Sequence, residues 1–290
     1  MRENALLDRF EQERPHLRAV AYRMLGSLSE ADDAVQETWL RLDRTDTSEV
    51  HNLTGWLTTV VARICLNLLR ARESRREDPL ELVPEATGEA IVDPEREALL
   101  ADTVGRALLV VLDTLTPAER LAFVLHDMFA VSFEEIGELT ERSPAAARQL
   151  ASRARRRVRG TDSPLRVDAF RQREVVEAFL AASRNGDFDA LLALLDENVV
   201  LHADREAGPT AKPVKLSGAR SVLMGASAAT GRAQVSDLVL IDGAVGLLMA
   251  PRGKLALVLA FTVVDDKITE IDVIAARERL NQLQLAIVEN

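Results

Sequence analysis

Residues 142–159 hold seven arginines and no acid. On a helical repeat, Arg148, Gln149, Ser152, Arg153 and Arg156 share one side, and Ala147, Leu150, Ala151, Ala154 and Val158 share the other. A guanidinium can fork onto a guanine edge and a carboxamide onto adenine, while further arginines such as Arg157 neutralise phosphates. The chemistry suggested is readout of nucleic acid, not bond making. A second cationic stretch, residues 63–76, holds five arginines and one glutamate. Its Arg63, Asn67 and Arg70 lie one or two turns apart, so one side of a helix can track a phosphate backbone. Either stretch alone would also suit a solvated helix face.

Three other groupings stand out. Asp32, Asp33, Gln36 and Glu37 fall on one side of a helical pattern and offer charge-assisted contacts to a basic partner, or a plain solvated face. His51 and Asn52 sit in a polar loop just before Trp56. Such residues can hold an unstacked base, although loop positions and a core tryptophan also account for them. His202 and Asp204, two apart, would face one way on an extended segment and could form a general acid–base pair in a pocket; structural or surface roles are the alternative. The four histidines are scattered and Cys65 is the lone cysteine, so no zinc site is expected. No glycine-rich phosphate loop is present, and no cofactor is expected.

Helices must position these residues. Ala31, Ala34, Val35, Thr38 and Leu42 form one apolar stripe; Leu57, Val60, Val61, Ile64, Cys65 and Leu68 form another. Thr116 with Glu119, and Ser132 with Glu135, are capping boxes; Pro117 sits at the first helical position, and Ser143-Pro144 starts a third helix. Leu121, Val124, Leu125 and Met128 make the first inward stripe, and Phe133, Ile136 and Leu139 the second. Two short capped helices with a basic last helix describe a helix-turn-helix. Between the helical blocks, residues 77–102 carry nine acids, one arginine and three prolines, which suits an irregular connector. After a break at residues 161–164 the pattern changes. Helices are expected over 169–184 and 187–196, then strands over 199–203, 235–241, 245–249, 255–264 and 268–275. Asp242-Gly243, Arg252-Gly253 and Asp265-Asp266 separate the last four as hairpin turns, so an antiparallel meander is expected.

Residues 21–42 (AYRMLGSLSEADDAVQETWLRL) resemble region 2.1–2.2 of extracytoplasmic-function sigma factors, residues 55–72 resemble regions 2.3–2.4, and residues 115–160 resemble region 4. The order and spacing of three motifs carry the resemblance, which spans nearly all of residues 10–160. The last block is similar to the SnoaL-like, NTF2-type cone domain fused to one branch of these factors. The resemblance implies a multidomain chain: a first all-α domain over 1–76, an acidic linker over 77–103, an all-α helix-turn-helix domain over 104–160, and an α+β SnoaL-like domain over 168–290. It implies a non-enzymatic factor whose partners are promoter DNA and core RNA polymerase, through the β′ clamp helices and β flap. Asp32, Asp33, Gln36 and Glu37 would dock on the clamp. A base-capturing loop over 43–53 with His51 and Asn52, then Trp56, Arg63, Asn67 and Arg70, would meet the −10 element. Arg148, Gln149 and Ser152 would reach −35 bases, with Arg153, Arg156 and Arg157 mainly on backbone. The linker would thread the polymerase cleft, and the C-terminal domain would act as a regulator in cis, with a small ligand possible in its pocket. The glycine-rich D-G-G-G-type segment of the fused branch is matched here only by Asp204 and Gly208.

Composition sets outer bounds. A length of 290 residues suggests two or three compact units. The net charge of −10 is unevenly spread, and the two basic islands offset its argument against nucleic acid. With 4% aromatics, a wide stacking platform for melted DNA is absent. No apolar run of about 18 residues and no signal-like start is seen, so a cytoplasmic location is expected. Two rivals remain at this point: a helix-turn-helix regulator acting without polymerase, and a SnoaL-type enzyme with helical adaptors.

Overall fold

The computed structural model describes residues 2–45, 50–77, 105–160, 167–208, 212–227 and 230–288. The acidic connector, the middle of the 43–53 loop and the 161–166 joint therefore lie outside the described residues. The chain divides into two compact units, one from Met1–Val104 with Leu112–Arg155, the other from Gly105–Val111 with Arg156–Asn290. The first helical segment anticipated from sequence and the middle of the second, Leu112–Arg155, thus share a single unit, while both ends of the second fall in the other.

In the first unit, α1 (Arg2–Leu25), α2 (Leu28–Asp43) and α3 (Leu53–Glu77) pack together. Gly26 turns the chain at φ 71°, and Ser27 caps α2 by accepting from the Glu30 N–H. The buried side of α2 is Leu28, Ala31, Ala34, Val35, Thr38 and Leu42, the stripe that periodicity predicts. Helix α3 departs from expectation. Leu68 is 40% exposed, while Ala62, Leu66 and Leu69 are buried beside Leu57, Val61, Ile64 and Cys65. Helix α3 touches both α1 and α2, so its buried face is wider than one stripe and turned from Leu68.

Helix α4 (Arg106–Asp113) precedes α5 (Pro117–Phe123), whose capping box closes through Thr116 and Glu119. A π-helical turn, Val124–Met128, extends α5 and leaves Met128 only half-buried. Helix α6 (Phe133–Thr140) carries the second capping box, between Ser132 and Glu135. It ends at left-handed Glu141, and the Arg142 N–H returns to the Gly137 carbonyl at 2.8 Å. A Cβ on Gly137 would lie 2.8 Å from the Arg142 carbonyl oxygen, so only glycine lets the turn close this tightly. Ser143 then caps α7 (Pro144–Arg159) through the Ala146 N–H. Ala147, Leu150, Ala151, Ala154 and Val158 are all buried, as their spacing demands.

Arg120 is 3% exposed and pairs with Asp113, and its Nε donates to the Arg23 carbonyl at 3.1 Å. Burial lowers its pKa, and Asp113 opposes that shift. The nearby Cys65 thiol is pushed up to about 12 by burial, which makes it an inert core residue.

The second unit lays α8 (Val167–Asn185) and α9 (Phe188–Leu194) over a seven-stranded sheet. The strands are β1 (Leu195–Ala203), β2 (Val214–Ser217), β3 (Ser236–Ile241), β4 (Ala244–Met249), β5 (Leu257–Val264), β6 (Lys267–Ile274) and β7 (Leu285–Ala286), in the order β2-β1-β6-β5-β4-β3-β7. Helices α10 (Ala219–Ser227) and α11 (Thr230–Ala233) follow β2, and α12 (Arg277–Leu280) follows β6. Val176, Val199, Val222, Ile268 and Ile271 centre the core. Gln172 ties α8 to the sheet through the carbonyls of Val245 and Phe261, and Phe179 meets Phe261 edge-on at 5.2 Å.

The α+β class is as expected; the sheet adds two short strands, β2 and β7, that the pattern did not mark, and differs in two further ways. It is mixed: β1 runs parallel to β6, from Val200 opposite Glu270 to Ala203 opposite Val273. Hairpin signals encode only neighbours joined by short turns, so the long-range partner of β1 left no local mark. Asp242-Gly243 and Asp265-Asp266 do adopt positive φ and close hairpins. Arg252-Gly253 does not make a two-residue turn. Pro251–Gly253 forms a 3₁₀ turn inside a longer β4–β5 loop, because Pro251 favours the start of such a turn.

Candidate nucleic-acid interface

The outward face of α7 carries Arg148, Gln149, Ser152, Arg153, Arg156 and Arg157, all exposed. Packing of the alanine-rich inner face against the unit produces this, since the buried positions recur every three or four residues and leave the other side of the helix to solvent. Arg148 and Arg153 have internal partners that set their direction. The Arg148 guanidinium lies over the Phe133 ring, 5.1 Å from its centroid. Arg153 Nε donates to Glu119 Oε1 at 2.9 Å. Both arrangements hold a long side chain in a defined direction before any ligand arrives. Arg155 pairs with Asp127 and is half-buried.

On α3, Arg63, Asn67 and Arg70 are exposed along one side. His51 and Asn52 are also exposed, and the Asn52 side chain accepts from the Gly55 N–H at 3.0 Å, capping the helix. Trp56 is half-buried. On α2, Asp32, Asp33 and Gln36 are exposed and Glu37 is half-buried. Asp32 takes a two-pronged contact from Arg18 at 2.6 and 3.0 Å, and Glu37 pairs with Arg41 at 2.9 Å.

His202 and Asp204 do not form a pocket pair. Leu201 and Ala203, their neighbours on β1, line a cavity of about 400 Å³, and strand alternation turns His202 away from it. His202 Nε2 faces Glu270 at 3.9 Å instead. Asp204 accepts from the N–H groups of Ala275 and Ala276 at 2.9 and 3.0 Å and from Arg279 at 2.7 Å. Burial alone would raise its pKa; those donors outweigh it and hold the carboxyl below the usual range. An acceptor so fully engaged is a poor base. The cavity residues were legible by the same alternation, had the opposite face of β1 been taken.

Two family models match the chain: Sigma-70 region 2 over residues 9–75 and Sigma-70, region 4 over residues 105–158. The probable ECF RNA polymerase sigma factor SigI of Mycobacterium tuberculosis is 33% identical over 274 residues, covering 93% of each chain. The chain belongs to the ECF RNA polymerase sigma factors. Another relative, the ECF RNA polymerase sigma factor SigJ of Mycobacterium tuberculosis, is 42% identical over 207 residues, which is 70% of this chain and 66% of SigJ. The crystal structure of SigJ is similar at 34% identity, over 94% of this chain and 98% of that one, with a TM-score of 0.45.

This sigma factor carries the two regions that support promoter-specific transcription initiation. The acidic face of α2 and the cationic face of α3 fall inside region 2, and α7 falls inside region 4. No described helix of the sigma factor is long and apolar enough to cross a membrane. Sequence reasoning missed Arg106, which heads region 4. It is 8% exposed, pairs with Asp237 at 3.1 Å and donates to the Gln234 carbonyl at 3.4 Å. Arg106 opens an otherwise apolar helix, RALLVVLD, and a lone arginine there was its only mark.

Proposed function

We propose that this sigma factor acts in the cytoplasm, joins core RNA polymerase through the face of Asp32, Asp33, Gln36 and Glu37 on the β′ clamp helices, and is modulated in cis by its C-terminal unit. Its −35 reader is α7. Arg148, Gln149 and Ser152 contact bases, Arg156 and Arg157 contact phosphates, and Arg153 reaches phosphate from a position set by Glu119. Its region 4 also meets the β flap. Residues 51–70 take the −10 element, with His51 and Asn52 at an unstacked base, Trp56 beside them, and Arg63, Asn67 and Arg70 along the backbone. The observation that carries this reading is the exposed α7 face, set by a capped two-helix frame, downstream of an acidic α2 in the same chain.

Regulation in cis is supported by Gly105–Val111. That segment opens region 4, yet it belongs to the same compact unit as the C-terminal sheet. The end of α7 also belongs to that unit, where the Ile287 N–H donates to the Val158 carbonyl at 2.8 Å. A domain that holds both ends of region 4 can bias its availability.

Run-off transcription with purified core enzyme tests both parts. The full chain should confer start-site choice, and a chain ending near residue 165 should do so at a different level. No start-site choice by either protein would end the polymerase assignment; equal levels from both would end regulation in cis.

A further inference from the structure

The cavity of the C-terminal unit belongs to none of the surfaces described for DNA or polymerase. It measures about 400 Å³ and is walled by α8, α9, α10 and the concave side of the sheet. Phe179, Leu180, Leu191, Leu247, Leu259 and Ile271 are representative of its lining, which among the described residues contains no carboxylate and no histidine. Its polar members are few. The Ser236 hydroxyl donates to the Arg232 carbonyl at 2.8 Å, and Arg232 Nη1 donates to the Ala207 carbonyl at 2.9 Å. Ser183 supplies one more hydroxyl. Phe188 lines the cavity while remaining 45% exposed, which marks an opening on its side. A hollow of this size and polarity suits a small organic molecule without charge, because Arg232, the cation among its described lining residues, already donates to the Ala207 carbonyl, and the rest of the lining is mainly apolar and does not repay desolvation of an ionic group.

One wall of the cavity is also a structural strap. Arg232, Ala233 and Ser236 line the hollow, and the strap runs on to Asp237. Arg184 holds it through the carbonyls of Ala233 and Ser236 and through Asp237 at 3.3 Å. Arg106 grips the same strap through the Gln234 carbonyl and Asp237. The side chain that heads region 4 therefore bonds to backbone within two residues of the cavity lining, inside one compact unit.

We propose that this cavity is a binding site for an uncharged, apolar small molecule, and that its occupancy is passed to the start of region 4 through the 232–237 strap and Arg106. The proposal rests on the reading that the C-terminal unit regulates in cis, and it gives that regulation a ligand class and a route. A molecule that fills the hollow must press on Ala233 and Ser236. Movement there shifts Gln234 and Asp237, and with them the partners of Arg106.

The test uses the full chain and the uncharged fluorophore N-phenyl-naphthylamine. It should bind with enhanced emission, and about tenfold more weakly to Ala203→Phe and to Ser183→Leu, which fill the hollow from opposite walls. Circular dichroism and the unfolding midpoint report whether each variant is folded, and two independent fillings guard against one failing. Hydrogen exchange read by mass spectrometry should then change over residues 105–111 when probe is added to the wild type, and not when it is added to a filled variant. Absence of binding, or equal binding to folded filled variants, would overturn the site. Tighter binding of the corresponding naphthalene sulfonate would overturn the uncharged class. Binding with exchange altered only around the cavity would overturn the route. Start-site choice by the wild type with core enzyme is scored separately, so the polymerase assignment stands or falls on its own.

Discussion

Glu119 bonds in two directions at once: Oε2 closes the capping box with the Thr116 hydroxyl at 3.0 Å, and Oε1 receives Arg153 Nε at 2.9 Å. One carboxylate thus starts α5 and orients a side chain on the exposed side of α7. Glu119 is 6% exposed while Thr116 and Arg153 are exposed, so a truncation here removes the cap and the ion pair and leaves their donors to water. Glu119→Ala is expected to destabilise the first unit by about 0.5–2 kcal/mol. Glu119→Gln keeps a capping acceptor and should cost less. Thermal unfolding of the two variants reads the difference, and an unshifted midpoint for Glu119→Ala would show that the pair adds nothing.

Arg148 and Arg156 should fail differently. Arg148 stands near the start of α7, where a recognition helix reaches base edges, and Phe133 holds its guanidinium. Arg148→Ala is expected to remove about 1–3 kcal/mol of discrimination at one promoter position. Arg156→Ala should weaken binding on every sequence and lower the salt slope by about one. Binding to a panel of single-substitution promoters at several salt concentrations separates them. A uniform loss from Arg148→Ala would move it to the phosphate class.

The acidic face of α2 is best probed at Asp33. Reversal of Asp32 also breaks its contact with Arg18, and reversal of Glu37 breaks its pair with Arg41, so those variants mix two effects. Asp33 is exposed on the same face. Asp33→Lys should lower affinity for core polymerase, most clearly at low salt, with the unfolding midpoint kept near wild type. Core binding unchanged across Asp33→Lys and Gln36→Lys would remove this face from the polymerase surface.

Local signals wrote most of the helical unit. The alternate burial of Ala147, Leu150, Ala151, Ala154 and Val158 follows from period alone, and the caps at Thr116, Ser132 and Ser143 fix where helices begin. What pattern could not supply was which elements meet. Leu68 reads as core because one stripe was assumed where α3 packs on α1, α2, α5 and α6. The parallel partner of β1, and the short β2 and β7, depend on contacts far apart in sequence. His202 and Asp204 were legible as residues sharing a side and not as to which side, because the period-two pattern names two faces without saying which is concave. Arg106 was silent for a related reason: its partner Asp237 lies 131 positions away.

Asp204 makes a last distinction between chemistry and structure. Its carboxylate gathers the N–H groups of Ala275 and Ala276 and Arg279 Nη1, and Arg279 Nη2 also reaches Asp272 at 2.6 Å. Together these groups pin the end of β6 to the turn after β1. Because the folded-state pKa is depressed, the stabilisation is full above the unfolded value of about 3.9 and is lost as pH falls through the lower folded value. Asp204→Asn keeps the shape but weakens charge-assisted acceptance, and should lower stability by about 1–2 kcal/mol at neutral pH. The gap between wild type and variant should close as the medium is acidified below the ordinary carboxylate range. Chemical denaturation at several pH values measures that gap. A gap that stayed constant down to strong acid would mean that Asp204 acts by shape alone.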